Sequence, residues 1–188
     1  MHTPETILAL YRERGAIAYD GEGVTQLQHA WQCGCLALEA GAVPALRLAA
    51  WCHDLGHLLT GLPGSPTTDG IDDRHELLGS QVLGTVFGIA VAAPVALHVA
   101  AKRYLVATQP HYCSTLSPDS LRSLALQGGA MTAQESTRFE RARFADDAQA
   151  LRRWDDLAKK PGLGPHSTDQ ALAQLADLMR VVQANAHV

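Results

Sequence analysis

Aromatic residues are scarce in this chain of 188 residues, at 5%. β-Sandwiches fill their pleated faces with aromatic and β-branched side chains, so the scarcity disfavours an all-β fold. No segment alternates apolar and polar residues for long enough to read as a strand, and no internal repeat is visible. There is no block of Lys or Arg, and the net charge is −4, which argues against nucleic acid as a partner. Met1-His2-Thr3-Pro4-Glu5 lacks the basic-then-apolar order of a secretory signal. The longest apolar run, Ile89 to Val99, is short for a membrane span and contains Pro94 and His98. The four cysteines, Cys33, Cys35, Cys52 and Cys113, form no CxxC pair, and no second thiol pair completes a zinc site. They read as small, reduced, mostly buried residues of a cytoplasmic protein. No protein partner is evident.

What the chain has in quantity is Ala and Leu, within an apolar content of 47%. Both are strong helix formers, and at this length one domain can bury a real core. Thr3-Pro4 opens a first helix that Gly15 ends. Ala16 to Val24 is irregular and reads as a mobile loop containing Tyr19, Glu22 and two glycines. Thr25 and Gln28 have capping-box spacing and start a second helix, running to Gly41, with His29 in its first turn. Pro44 starts a third, which delivers His53, Asp54 and His57. Gly61 to Gly70 is a loop. Asp73 and Glu76 cap a fourth helix around His75. Pro94 opens a fifth with His98 and, one turn later, Lys102. Ser117-Pro118 opens a short helix with Ser120, broken at Gln127-Gly128-Gly129. Thr132 and Glu135 cap another. A helix from about Asp146 carries Arg152, Trp154 and Asp155. After a linker from Pro161 to Pro165, Ser167 and Gln170 cap the last. The architecture expected is all-α, a helical bundle.

The stretch Trp51-Cys52-His53-Asp54-Leu55-Gly56-His57 is the focus of the chain. On a helix His53 and His57 share a face one turn apart, and an imidazole beside a carboxylate in an apolar turn can bind a metal. Two surface histidines at a helix end capped by Gly56 are the alternative. His29, His75 and His98 decide between them, because burying several histidines in separate helices is costly unless something pairs them. Imidazole and carboxylate without thiolate suit Fe, Mn or Zn. More than four ligands exceeds one tetrahedral ion and fits two metals about 3.5–4 Å apart, bridged by a carboxylate. Asp54 is the natural bridge. Asp155 is the candidate for the remaining carboxylate, with Asp156 an exposed helix charge.

His29, His53-Asp54 and Asp155 together resemble the HD-domain superfamily, and His75 and His98 match its diiron branch. Tyr19 and Glu22 precede His29 at short spacing. His98-Val99-Ala100-Ala101-Lys102-Arg103 is followed by Ser120, Gln127-Gly128-Gly129 and Arg152-Arg153-Trp154-Asp155. This order resembles the HD-domain mixed-valent diiron oxygenases of the PhnZ type, relatives of myo-inositol oxygenase that cleave the C–P bond of hydroxylated organophosphonates. The likeness covers about residues 5–160.

The last helix adds nothing to the likeness, and the organisation expected is a single HD domain over 1–188, with 166–188 a C-terminal helix packed on it. The resemblance implies that His29, His53, Asp54 and Asp155 hold one iron, and that His75, His98 and the bridging Asp54 hold the other. Lys102, Ser120 and Arg152 would bind the phosphonate, with His57 a substrate contact. Tyr19 and Glu22 would form a lid, Tyr19 resting at the open iron position and Glu22 meeting a substrate ammonium. The cofactor would be an Fe(II)/Fe(III) pair with O2 as co-substrate. The substrate expected is 2-amino-1-hydroxyethylphosphonate, giving glycine and phosphate. Independently of family, a phosphonate dianion suits a bidentate Arg and a point-charge Lys, and Ser120 lies near a helix start that favours anions. The competing reading is an HD-type phosphohydrolase acting on a nucleotide or phosphate ester. Tyr19, Glu22 and the two extra histidines argue against it. A non-catalytic module would be expected to have lost ligands, and none is lost.

Overall fold

A computed structural model describes residues 2–19, 21–61 and 66–185. The fold is an all-α bundle with minimal strand content: α1 (Pro4–Arg14), a hairpin of β1 (Ala18–Tyr19) and β2 (Val24–Thr25), α2 (Gln26–Glu39), α3 (Pro44–Cys52), α4 (Leu55–Thr60), α5 (His75–Phe87), α6 (Ile89–Thr108), α7 (Pro118–Leu126), α8 (Ala133–Glu140), α9 (Ala145–Leu157) and α10 (Thr168–Asn185). Short 3-10 turns lie at Pro66–Asp69 and Tyr112–Thr115. The helix starts read from Thr3, Thr25, Ser117 and Thr132 each have the side-chain cap expected.

Four expectations need correction. The stretch before α2 is a small antiparallel hairpin, Ala18 opposite Thr25 and Tyr19 opposite Val24. Two-residue strands are too short for an alternating pattern. The third helix is two helices, because the chain breaks at His53 and Asp54 and resumes as α4. Pro94 does not open α6 but lies within it. The helix begins after Gly88, whose φ of 84° sets the turn, and it tolerates a proline at the cost of one backbone bond. Asp73 is not the N-cap residue of α5: Arg74 stands there with φ 49° and makes no side-chain cap bond, while Asp73 Oδ1, one residue earlier, accepts from the N–H of His75 at 3.4 Å. The part of the Gly61–Gly70 loop at 62–65 lies outside the described residues.

The core brings α3, α5, α6 and α9 together beneath α1 and α10. α1 also completes the C-terminal ends of α3 and α4. Tyr11 Oη donates to Trp51 O (2.9 Å) and Arg14 Nη1 to Leu58 O (2.6 Å), satisfying carbonyls that helix ends leave unpaired. Two glycines permit the close approaches that shape the site. A Cβ on Gly34 would fall 1.9 Å from Trp51 Nε1, and one on Gly56 would fall 2.0 Å from His75 O. Thus α2 lies directly on α3, and α4 on the start of α5. α6 is the one described helix long and apolar enough to cross a membrane, and half of that stretch is buried within the protein.

Candidate metal centre and anion cavity

His29 on α2, His53 and Asp54 at the α3–α4 junction, His75 at the start of α5, His98 on α6 and Asp155 on α9 are all buried and meet at one point. Asp54 lies at the centre. Its Oδ2 is 3.4 Å from His29 Nε2 and 3.3 Å from His53 Nε2. Its Oδ1 is 3.5 Å from His75 Nε2 and 3.9 Å from His98 Nε2. Asp155 Oδ1 reaches His29 Nε2 at 3.4 Å. The break in the helix allows this: Asp54 stands at the N-cap of α4 but makes no side-chain cap bond, so its carboxylate is left for the histidines.

Hydrogen bonds fix the tautomers. His29 Nδ1 lies 3.0 Å from Ala158 O, His53 Nδ1 3.0 Å from Ala50 O, His98 Nδ1 2.7 Å from Val95 O, and His75 Nδ1 3.0 Å from Asp73 Oδ1. Each partner can only accept, so each Nδ1 carries the proton and each Nε2 presents a lone pair. Yet the Nε2 atoms of His29 and His53 are 3.2 Å apart, as are those of His75 and His98. Asp54 Oδ2 and Asp155 Oδ1 are buried with no hydrogen-bond partner among the described residues. Lone pairs and carboxylate oxygens converging in a buried site repel one another unless cations lie among them. The donors form two His/Asp clusters around one carboxylate, the arrangement of a binuclear metal site. Burial opposes ionisation of Asp155, but the Arg152 guanidinium (Nη1 to Oδ2, 2.7 Å) and Lys159 hold its carboxyl well below the usual range.

Beside the metal cluster lies a cavity lined by Tyr19, His57, Lys102, Ser120 and Arg152, with Asp54, His75, His98 and Asp155 at its floor. The three expected anion binders therefore share one cavity. They differ in charge balance. Arg152 is held between Asp155 and Asp156 and reaches Ser120 Oγ at 3.4 Å. Lys102 has only Ser123 Oγ at 2.7 Å and no carboxylate within ion-pair distance among the described residues. Burial, then the nearby Arg152, pushes its pKa down to about 7. His57 is turned by Asp73 (Nδ1 to Oδ2, 2.6 Å) and stacks on His75 at 3.9 Å. The Tyr19 ring stacks on His29 at 4.2 Å, and burial, then Asp54, raises its phenol pKa well above normal.

Glu22 does not line the cavity. It pairs with Lys159 (Nζ to Oε1, 3.3 Å). Asp156 is not an exposed charge either: it bonds both Arg152 and the Tyr112 hydroxyl. Cys33, expected to be filler, has Sγ 3.8 Å from His29 Nε2. Of the four free thiols Cys113 is exposed. Sequence reasoning missed Asp73, Lys159 and Gln127 as site residues. Asp73 turns two histidines, and its position two residues before His75 was the available signal. Gln127 lines the cavity with its Oε1 buried and unbonded.

No family model matches the chain. It is 43% identical over 159 residues to a hydroxymethylphosphonate dioxygenase of Gimesia maris, covering 84% of this chain and 79% of that protein. It is 38% identical over 157 residues to a glycine-betaine-forming 1-hydroxy-2-(trimethylamino)ethyl phosphonate dioxygenase of Leisingera caerulea, covering 83% and 80%. An uncharacterized protein of Acanthamoeba polyphaga mimivirus is 35% identical over 159 residues.

Proposed function

Since the chain belongs to the family of the phosphonate dioxygenases, we propose that it uses O2 to cleave the C–P bond of a 1-hydroxyphosphonate and release phosphate. The observation that carries this reading is a two-cluster metal centre forming the floor of a cavity whose wall holds Lys102, Ser120 and Arg152. His29, His53, Asp54 and Asp155 would hold one iron, and His75, His98 and Asp54 the other. An Fe(II)/Fe(III) pair held there would supply the activation of O2.

The chain's own residues do the rest. Lys102 meets the phosphonate as an unneutralised cation, and Ser120 donates a hydroxyl. Arg152 orients Asp155 while offering its remaining N–H to the anion. His57, fixed by Asp73, faces the substrate over His75. Tyr19 covers His29 and, as a lid, excludes water before substrate enters. 2-Amino-1-hydroxyethylphosphonate, giving glycine and phosphate, is the amino-bearing candidate, and hydroxymethylphosphonate the one without a substituent. We take residues 1–188 as a single HD domain including α10, which packs on α1 and α3. The four free thiols suit a reducing cytoplasm.

The test is iron content with O2 uptake and phosphate release on both phosphonates. The parent should hold two irons per chain, and His53→Ala fewer than one. Tyr19→Phe should alter substrate affinity. Phosphate release from a phosphate ester without O2 uptake would establish the hydrolase instead.

A further inference from the structure

We infer that Lys159 is a specificity-determining residue: by holding Glu22 outside the cavity it favours hydroxyphosphonates whose substituent carries no positive charge. The inference rests on the phosphonate reading above. Lys159 Nζ lies 3.3 Å from Glu22 Oε1, 3.2 Å from Ser120 Oγ and 3.4 Å from Ser117 Oγ. It also sits 5.5 Å from the centre of the Tyr19 ring. One ammonium thus joins the hairpin, which supplies Tyr19 and Glu22, to the start of α7, which supplies Ser117 and Ser120. Neither member of the ion pair lines the cavity, whereas Tyr19 and Ser120, both beside Lys159, do.

The backbone that carries the lysine is fixed. Ala158 O accepts from His29 Nδ1, and Gln32 on α2 bonds both the N–H and the carbonyl of Lys160 at 3.0 Å. The backbone on each side of Lys159 is therefore pinned to α2. The hairpin is seated on the same segment, since a Cβ on Gly23 would fall 3.2 Å from Pro161 Cγ.

Charge balance decides the specificity. Only about a tenth of each side chain is exposed, so solvent screens the pair weakly. A substrate ammonium drawn to Glu22 must share its carboxylate with Lys159 or displace it. Either way two cations lie side by side, which is unfavourable. A hydroxyl, hydrogen or alkyl substituent meets no such obstacle.

The experiment compares ethylphosphonate with 2-aminoethylphosphonate, which differ by the ammonium group. Titration calorimetry on metal-loaded protein gives both affinities and needs no turnover. The parent should bind the amino compound no more tightly than ethylphosphonate. Lys159→Met should shift the affinity ratio about 10-fold toward the amino compound. Combining it with Glu22→Gln should abolish the shift, and Lys159→Arg should keep the parent ratio. If both ligands bind but the ratio is the same in parent and Lys159→Met, or the parent already prefers the amino compound, Lys159 does not set specificity. If neither ligand binds any of the proteins, the phosphonate reading itself is wrong.

Discussion

Lys102 is a buried cation with no carboxylate within ion-pair distance among the described residues. Its side chain bonds the Ser123 hydroxyl, and burial, then Arg152, brings its pKa down to about 7. Lys102→Met keeps the stem but removes the charge, so the variant should weaken phosphonate binding by about 2–5 kcal/mol while melting above the parent. The sign of the pH dependence follows from the depressed pKa. Below pH 7 both folded and unfolded parent hold the proton, and the burial penalty is fully present. Between pH 7 and about 10.4 the unfolded chain still binds a proton that the folded protein has released, so parent stability rises and its deficit against the variant shrinks. Melting curves of both proteins from pH 6 to 10 check this, and a parallel pair of curves would show that Lys102 does not titrate there. The sequence makes residue types legible at this scale but not their charge partners. His29, His53, Asp54, His75, His98 and Asp155 could be grouped because histidines in several apolar helices need a common partner. That Arg152 is neutralised by Asp155 and Asp156, and Glu22 by Lys159, depends on how separate segments meet. Only Arg152, at helical spacing from both aspartates, carried a local signal.

Among the elements, the junction of α3 and α4 and its contact with α5 place the bridging carboxylate. Gly56 allows that contact, because its Cα lies against the carbonyl of His75. Gly56→Ala forces the start of α5 away from Asp54. The expected cost is about 1–3 kcal/mol in stability, with a loss of bound metal out of proportion to it. Gly84→Ala is the control. It lies farther along α5, where the added methyl would meet only Ala92 Cβ at 3.3 Å. Equal metal content in the two variants would mean that the α4–α5 contact does not position His75. Helix starts marked by a side-chain cap were legible in the sequence, since Thr25 or Thr132 bonding three residues on is a local event. The break at His53 was not, because Tyr11 stabilises it from a distant helix. The hairpin was too short for strand periodicity, and Asp73 turns two histidine rings besides reaching the first N–H of α5.

For the whole molecule, the candidate metal centre joins α2, α5, α6, α9 and the α3–α4 junction, so cations bound there would hold the bundle together. A ligand at a thousand times its Kd adds about 4 kcal/mol, and at this size each kcal/mol moves Tm by about 2–4 °C. Removing the metal with a chelator should therefore lower Tm by roughly 8–16 °C. An unchanged Tm in protein proved metal-free would deny the centre this role. The consequence that reaches furthest comes from α6, which contacts α3, α5, α8 and α9 and carries both His98 and Lys102. Four residues of helix separate them, a rise of about 6 Å, and neither can slide without moving the core. The helix is in effect a ruler, with one mark at the oxidising end and one at the anionic end. A phosphonate hydroxylated on its second carbon is longer by one bond, about 1.5 Å. It should dock by its anionic head, release no phosphate and compete with the true substrate, so this enzyme should discriminate the position of the hydroxyl more sharply than what else the carbon carries.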